Sequence, residues 1–255
     1  MNTEERKPLL EIKELSKSYY ISGRGEINVF DKFSITFFER EISCIIGGSG
    51  CGKTTFLKII SGAEEFDGGR IIYKGQEKKR VEKVAFVFQD IILLPWLTVK
   101  ENIEFILRTK NLSAKEAEEK ALHFIMKIGL EGYEEAYPKE LSKGMQQRVG
   151  LARALACEPE LLLMDEPFAN LDFLTASYLR DEFLNIWFDP TIKLLSTILV
   201  THTVDEAVYL ADRIIVLSKN PARVTADICV ELPRPRNRKD PKFEEYMDTI
   251  FASGI

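Results

Sequence analysis

The sequence of 255 residues lacks a long apolar run. No segment approaches the roughly 18 to 20 consecutive apolar residues that a membrane-spanning helix needs. The N-terminal segment 1–8 also lacks the apolar stretch of a secretory signal. These absences predict a chain that stays in the cytoplasm.

Cysteines are few and do not cluster. The four of them, Cys44, Cys51, Cys157 and Cys229, show no Cys-x-x-Cys spacing and have apolar or glycine neighbours. This pattern predicts reduced, packed thiols, and it argues against a disulfide framework or a zinc site.

A basic stripe is also missing. The net charge is −5, and the 35 Lys and Arg residues are spread along the chain, so no nucleic-acid partner is expected. With 45% hydrophobic residues the chain can bury a full core. No internal repeat, low-complexity tract or Gly/Ser linker divides it, which favours one large domain.

Short apolar runs alternate with helical patterns, and this alternation predicts an α/β fold with a mainly parallel sheet. The runs lie near residues 42–46, 84–88, 160–164, 197–201 and 213–217. Segments 9–15 and 33–38 instead predict an antiparallel β layer with a turn at 23–25. Charged helical sequence between residues 99 and 150 predicts an inserted α-helical subdomain, in which Ser113 and Glu116 form a capping box.

The most specific motif is Gly-Gly-Ser-Gly-Cys-Gly-Lys-Thr over residues 47–54, a phosphate-binding loop of the form G-x-x-x-x-G-K-[ST]. A predicted strand precedes it and a predicted helix follows it, as the motif requires. We expect it to bind a nucleoside triphosphate, with Lys53 on the β- and γ-phosphates and the Thr54 hydroxyl on Mg²⁺. The expected nucleotide-contacting residues of this segment are Gly47, Gly48, Ser49, Gly50, Cys51, Gly52, Lys53, Thr54 and Thr55.

A second motif, Leu-Leu-Leu-Met-Asp-Glu over residues 161–166, ends a predicted strand in two acids. Ligand sites of parallel sheets lie at such strand ends. Asp165 is the candidate for holding Mg²⁺, and Glu166 for polarising the water that attacks the γ-phosphate. Taken alone, the acids would equally suit a helix cap, but the phosphate loop upstream favours catalysis.

The run Leu-Ser-Lys-Gly-Met-Gln-Gln-Arg over residues 141–148 resembles the LSGGQ-type signature of ABC transporter ATPases. Other marks of that family stand around it in order: Tyr19, Gln89, Asp172 and His202. The guanine-binding Asn-Lys-x-Asp motif is absent. The resemblance covers nearly the whole chain.

This resemblance implies the ABC ATPase fold, with a P-loop NTPase core, an N-terminal antiparallel β layer and an inserted helical subdomain. Within one nucleotide-binding domain it places the ATP-binding core at 9–88 and 156–235, the helical subdomain at 89–155 and a C-terminal tail at 236–255. The tail is too short for an added regulatory domain.

The resemblance also implies roles for single residues. Tyr19 would stack on the adenine of ATP. Gln89 would sense Mg²⁺ and the attacking water, and His202 would hold the γ-phosphate. Glu166, His202 and Gln89 are therefore the expected catalytic residues, and Thr54, Gln89 and Asp165 the expected metal site.

A second copy of the chain is the implied partner. Ser142 and Gly144 would begin a helix whose N-terminus faces the γ-phosphate held by the other copy, and Asp172 would help to order the interface. Two copies would then pack head-to-tail around two ATP molecules.

Lys143 departs from the family pattern, which most often has glycine there. A cation at a helix N-terminus costs a few tenths to about 1 kcal/mol unless an anion offsets it. Lys143 either approaches the phosphate of the other copy or points into solvent, and the sequence leaves both open.

Segment 89–99 is rich in large apolar side chains. In the family this region receives a helix of the membrane permease, so Trp96 is a candidate permease contact; the alternative is that it packs on the helical insertion. Residues 94–102, 164–168 and 205–213 are similar to importer ATPases of the nitrate, sulfonate and taurine group.

The resemblance therefore implies the ATP-hydrolysing subunit of an importer for a small anion or organic solute. It would be peripheral on the inner face of the cell membrane, bound to permease subunits and served indirectly by an extracytoplasmic solute-binding protein. The alternatives are an exporter or lipid-transport ATPase, and a soluble ABC ATPase acting on nucleic acid. The sequence does not identify the solute, because the solute contacts other subunits.

Overall fold

The computed structural model describes residues 6–23, 25–110 and 112–254. Residues 1–5 of the N-terminal segment and residue 24 of the predicted turn lie outside this range. In the part of the chain that is described, no helix combines the length and the apolar character that crossing a membrane would need.

The described residues form strands in two sheets. In chain order they are β1 (Pro8–Ile21), β2 (Gly25–Phe38), β3 (Glu41–Gly47), β4 (Gly68–Tyr73), β5 (Gln76–Lys78), β6 (Val84–Val87), β7 (Leu161–Asp165), β8 (Ser196–Val200), β9 (Arg213–Leu217) and β10 (Val224–Cys229).

Seven α-helices lie among the strands in the described ranges. They are α1 (Lys53–Ser61), α2 (Val99–Leu107), α3 (Ala114–Lys127), α4 (Lys143–Ala156), α5 (Phe173–Trp187), α6 (Val204–Leu210) and α7 (Pro241–Ala252).

The first sheet has the strand order β2-β1-β4-β5, and β1 pairs antiparallel with β2 and β4, as β4 does with β5. Glu11 lies opposite Thr36, which confirms the predicted pairing of the two N-terminal strands. Strands β4 and β5 were not predicted, because β4 begins with two glycines and an arginine and β5 carries no apolar residue.

The second sheet has the order β10-β9-β3-β8-β7-β6. β3 runs parallel to both β8 and β9, with Ile45 opposite Val200 on one side and Ile215 on the other. Strands β3, β7, β8 and β9 are buried along their whole length, as expected for strands covered on both faces. The predicted α/β fold with a mainly parallel sheet is confirmed.

The residues group into two compact units. The first unit comprises Met1–Val84, Leu163–Asp165 and Leu195–Ile255, and the second comprises Ala85–Leu162 and Glu166–Leu194. The predicted boundaries of core, helical subdomain and tail remain predictions.

In the first unit, an aromatic cluster packs between α1 and the antiparallel sheet. Phe30, Phe33 and Phe37 of β2 each place a ring within 6 Å of the ring of Phe56 on α1, with centroid distances of 5.9, 5.7 and 5.9 Å. Burial of each such side chain contributes about 1.5–3 kcal/mol. The cluster holds α1, and with it the loop that precedes α1.

The cysteines differ from expectation at one position. All four are free thiols, and Cys44 and Cys51 are buried, as predicted. Cys229 is exposed, because β10 is an edge strand whose side chains alternate between exposed and half-buried positions. Its apolar sequence neighbours gave no sign of the edge.

Candidate functional site

The loop of residues 48–52 joins the end of β3 to the start of α1. Gly50 and Gly52 have φ angles of 78° and 102°, in the left-handed region that favours glycine. A Cβ on Gly47 would lie 2.6 Å from the carbonyl oxygen of Leu217, and one on Gly52 would lie 2.5 Å from Val29 Cγ1. The backbone of this loop is therefore packed so closely that only glycine fits at these places.

Lys53 holds its ammonium inside the loop. Its Nζ donates to the carbonyl oxygens of Gly47 at 2.7 Å and Gly48 at 3.2 Å, and the side chain is buried. Gly52 caps α1 without any side-chain hydrogen bond, so the N–H groups of the first turn face the loop without a protein side chain to accept them. A buried cation and a helix N-terminus suit a phosphate group.

A second cation lies beside the loop and was missed in the sequence. A Cβ on Gly48 would lie 2.6 Å from Lys219 Cε and 3.4 Å from its Nζ. Lys219 follows β9 in a turn with no motif, and only the pairing of β9 with β3 brings it to the loop. No local signal in the sequence could have found it.

Tyr19 is half-buried near the end of β1. The Lys17 ammonium lies 4.7 Å from the centroid of its ring. Lys17 also pairs with Glu64 at 2.8 Å, and the hydrogen bond from this pair raises the pKa of Lys17. Tyr19 is thus a ring with a fixed cation against it, and its stacking on adenine stays a prediction.

The two acids of the second motif differ in burial and backbone. Asp165 ends β7 with 6% of its surface exposed. Glu166 is half-buried and has a φ of 46°, a left-handed conformation that costs a non-glycine residue roughly 1–2 kcal/mol. Such strain concentrates at functional positions.

Among the described residues, no group of three or more His, Cys, Asp or Glu side chains could hold a metal ion. Mg²⁺ in phosphoryl-transfer sites takes few protein ligands and keeps water and phosphate oxygens for the rest. The oxygens of Asp165 and Thr54 fit that chemistry.

Ser142 is the N-cap of α4. Its Oγ accepts a hydrogen bond from Met145 N at 3.3 Å, and the residue is exposed. Gly144 is buried, and a Cβ there would lie 2.5 Å from Thr175 Cγ2 on α5. The glycine is therefore needed for packing within the second unit, a requirement that the sequence did not reveal.

Asp172 caps α5. Its carboxylate accepts hydrogen bonds from Thr175 N at 3.0 Å and Thr175 Oγ1 at 2.6 Å. The bond from the Thr175 side chain, followed by that from its backbone, lowers the pKa of Asp172. Its predicted role at an interface between copies is untested, whereas this cap is an interaction within the chain.

Gln89 is exposed and follows β6. In the second unit it lines a cavity of about 140 Å³ together with Lys143, Gln147 and Asn170. The structure thus brings three of the sequence motifs to one place: the segment after β6, the start of α4 and the turn after Glu166. A larger cavity of about 370 Å³ lies elsewhere in this unit, and no candidate residue lines it.

Segment 89–99 contacts α4, but some of its large apolar side chains are exposed. A Cβ on Gly150 would lie 2.1 Å from Ile91 Cδ1, and Arg153 donates to the Ile92 carbonyl at 3.0 Å. The side chains of Ile92 and Trp96 are nevertheless 77% and 69% exposed. This exposure does not fit the alternative that Trp96 packs on the helical insertion.

His202 lies exposed between β8 and α6 in the first unit. The adjoining backbone is fixed, since Thr201 N donates to Ile45 O at 3.3 Å and Thr203 N donates to Thr201 Oγ1 at 3.1 Å. The first unit therefore carries the loop, Tyr19, Asp165 and His202. The second unit carries Gln89, Glu166, Asp172 and the start of α4.

Comparison with known proteins places the chain in a family. The sequence model described as "ABC transporter" matches residues 30–169. The aliphatic sulfonates import ATP-binding protein SsuB of Bacillus cereus is 40% identical over 94% of this chain and 93% of its own length. The nitrate import ATP-binding protein NrtD of Synechocystis sp. is 36% identical, again over 94% of this chain and 93% of its own length.

A solved structure is similar as well. It is the dimeric, post-hydrolysis state of the ATP-binding cassette MJ0796 bound to ADP and Pi, which is 27% identical and has a TM-score of 0.75 over 88% of this chain and 99% of that one. The family model, the relatives and the solved structure all point to the same family. The chain therefore belongs to the ABC transporter family.

Proposed function

We propose that this chain is the ATP-hydrolysing, energy-coupling subunit of an importer for a small anion or organic solute. The observation that carries the proposal is the complete phosphate loop, with the Lys53 ammonium held by Gly47 and Gly48 at an uncapped helix N-terminus. It occurs in a chain similar over almost its whole length to sulfonate and nitrate import ATP-binding proteins.

In the first unit, residues 47–55 bind the phosphates of ATP. The backbone N–H groups at the start of α1 donate to phosphate oxygens, and Lys53 exchanges its carbonyl partners for the β- and γ-phosphates. Tyr19 stacks on adenine. His202 contacts the γ-phosphate from the segment between β8 and α6.

Asp165, Thr54 and Gln89 would hold Mg²⁺ through their side-chain oxygen atoms. When bound, Mg²⁺ contributes positive charge that neutralises the β- and γ-phosphate oxygens during transfer. Glu166 accepts a hydrogen bond from the attacking water and orients it. Its left-handed backbone aims the carboxylate away from the direction that a continued strand would give.

The working form is a dimer of two copies. Ser142 and Lys143 are exposed at the start of α4. The Ser142 hydroxyl and the N–H groups of this first turn donate to the γ-phosphate bound by the other copy. Asp172 helps to order this interface while it caps α5. The dimeric state of the similar cassette MJ0796 with ADP and Pi supports this arrangement.

The permease binds at segment 89–99. Ile92 and Trp96 present exposed apolar surface there, and such surface usually marks an interface. The chain would then be peripheral on the cytoplasmic face of the membrane, with a solute-binding protein acting on the other side. The exporter alternative has no observation in its favour.

Catalysis is tested by Glu166→Gln. The variant should bind ATP with unchanged affinity and lose turnover by at least about a hundredfold, because the general base is gone. Phosphate release and nucleotide titration measure the two effects. Glu77→Gln, an exposed acid on β5, is the matched control and should keep full turnover.

Import is tested with the chain assembled with its permease in proteoliposomes. Nitrate, taurine and an alkanesulfonate are each added on the side of the solute-binding protein, and ATP hydrolysis is followed. Stimulation by one of them supports the importer, and stimulation only by a solute on the ATP side would instead indicate an exporter.

Trp96→Glu should abolish this stimulation and leave the ATPase activity of the isolated chain intact. Loss of both activities would assign Trp96 to folding.

A further inference from the structure

Three arginines between β10 and α7 all bind the short helix α6. Arg234, Arg236 and Arg238 alternate along the irregular segment between these elements, and each contacts residues between 205 and 212. All of these residues belong to the first unit.

Arg236 caps the C-terminus of α6. It is 7% exposed, and its NH1 donates to the carbonyl oxygens of Val208 and Ala211, both at 2.6 Å. These are carbonyls that a helix end leaves without intrahelical partners, and no glycine stands at the C-cap to satisfy them. Burial lowers the pKa of Arg236 to about 10, so it stays charged at neutral pH and complements the negative end of the helix.

Arg234 fixes the residues that follow α6. It donates to the Leu210 carbonyl at 2.6 Å and pairs with Asp212. The other carboxylate oxygen of Asp212 accepts a hydrogen bond from Ile42 N at 2.9 Å at the start of β3. The end of α6 is thereby tied to the strand that leads into the phosphate loop.

Arg238 holds the opposite end of α6. Its Nε donates to both carboxylate oxygens of Asp205, at 2.8 and 3.1 Å, and its guanidinium lies 4.2 Å from the centroid of the Tyr209 ring. Asp205 is in the first turn of α6, three residues after His202. A helix of seven residues is too short to be stable alone, so contacts from outside must fix it.

We infer that Arg238 is a positioning residue for His202. By binding Asp205, Arg238 fixes the first turn of α6. That turn fixes the position of the exposed His202 side chain, which contacts the γ-phosphate in the proposed function. Arg234 and Arg236 hold the C-terminal end of the same helix. The inference rests on the role of His202 in the proposed function. It means that the segment after β10 contributes to ATP turnover.

The test uses Arg238→Gln in the full chain, because Gln removes the charge and keeps much of the side chain. Turnover should fall about tenfold at saturating ATP while the KM for ATP stays within about twofold, since misplacement acts on the reacting geometry and the phosphate loop is untouched. Arg238→Lys keeps a charge near Asp205 and should recover part of the loss. Lys239→Ala, the next residue and exposed, is the matched control and should behave as the parent chain.

A spectroscopic readout separates positioning from general destabilisation. The chain has two histidines, His123 and His202, so two sets of imidazole NMR signals suffice, and His123→Ala assigns them. Arg238→Gln should shift or broaden the His202 signals and leave those of His123, which lies in the second unit, unchanged.

Unmoved His202 signals or unchanged turnover in Arg238→Gln would overturn the inference. Equal disturbance of both histidines would do so as well, because it would mean general unfolding. His202→Ala tests the foundation separately: if it keeps full turnover, the proposed role of His202 fails whatever Arg238 does.

Discussion

The starts of helices α1 and α4 make a useful comparison, because both are candidate phosphate-binding ends. The start of α1 has no side-chain cap and follows a loop that is packed against β2 and β9. The start of α4 is capped by Ser142 and is exposed. The first end needs a ligand to satisfy its N–H groups, whereas the second is already satisfied in part by its own chain.

This difference indicates that ATP binds first at the start of α1 of one chain, and that the start of α4 of the other copy contacts it afterwards. A helix end that is uncapped and backed by a buried ammonium is organised for tight binding by one chain alone. An exposed, self-capped end gains less from an anion and suits a contact that forms and breaks. Substitutions at the two helix starts should therefore have different effects on ATP binding and on turnover.

The largest effect is expected for Lys53→Ala. Removing the ammonium should weaken ATP binding to the single chain by at least about a hundredfold, because a buried, hydrogen-bonded charge partner is lost. Titration with a fluorescent ATP analogue measures this. Lys58→Ala, in the last turn of the same helix, should bind normally. Comparable weakening in both variants would mean that α1, and not the loop, had been damaged.

Ser142→Ala should separate the second helix start from the first. ATP affinity of the single chain should stay unchanged, while turnover falls about tenfold because one donor to the transferred phosphate is lost. The lost cap also costs about 1 kcal/mol of unfolding free energy. Steady-state hydrolysis and thermal unfolding measure the two effects.

Ser113→Ala is the matched control for Ser142→Ala. Ser113 caps α3 with a hydrogen bond of the same length, accepting from Glu116 N at 3.3 Å, and is also exposed. Its Oγ also donates to Glu116 Oε2 at 2.6 Å. It should cost similar stability and leave turnover intact. If both variants lost turnover equally, capping alone would explain Ser142 and the comparison would fail.

Gly150→Ala should disturb the position of α4. The new methyl group would collide with Ile91, and overpacking of this kind costs about 1–3 kcal/mol. Denaturant unfolding measures the loss. The double variant Gly150→Ala with Ile91→Ala should recover most of it, and absence of recovery would show that the strain lies elsewhere.

Lys143→Gly carries the smallest expected effect. Lys143 is exposed at the first position of α4 and lines the cavity that contains Gln89. If it approaches phosphate in the dimer, the KM for ATP should rise by about two- to threefold at low salt and converge with the parent value at high salt. Identical parameters at every ionic strength would place Lys143 in solvent.

Local sequence was sufficient for the elements that carry a pattern of their own. The buried runs predicted β3, β7, β8 and β9 within one or two residues, because continuous apolar stretches are diagnostic of covered parallel strands. The capping box of Ser113 and Glu116 is present as predicted.

What could not be predicted depends on residues distant in sequence. Lys219 reaches Gly48 only because β9 pairs with β3. The buried position of Gly144 depends on Thr175, and the Arg236 cap depends on carbonyls about 25 residues upstream. A motif search finds residues that share a pattern with a family, and these contacts belong to no motif.

The close contact between Ile91 and Gly150 has a mechanical consequence. An α-helix is stiff along its axis, and the eight steps of about 1.5 Å from Gly150 back to Ser142 span about 12 Å. A force on the exposed Ile92 and Trp96 would be passed to α4 at Gly150 and Arg153, and a stiff helix would carry the displacement to Ser142 at its N-terminus. Movement of segment 89–99 would then change the position of Ser142 without altering the loop of residues 48–52.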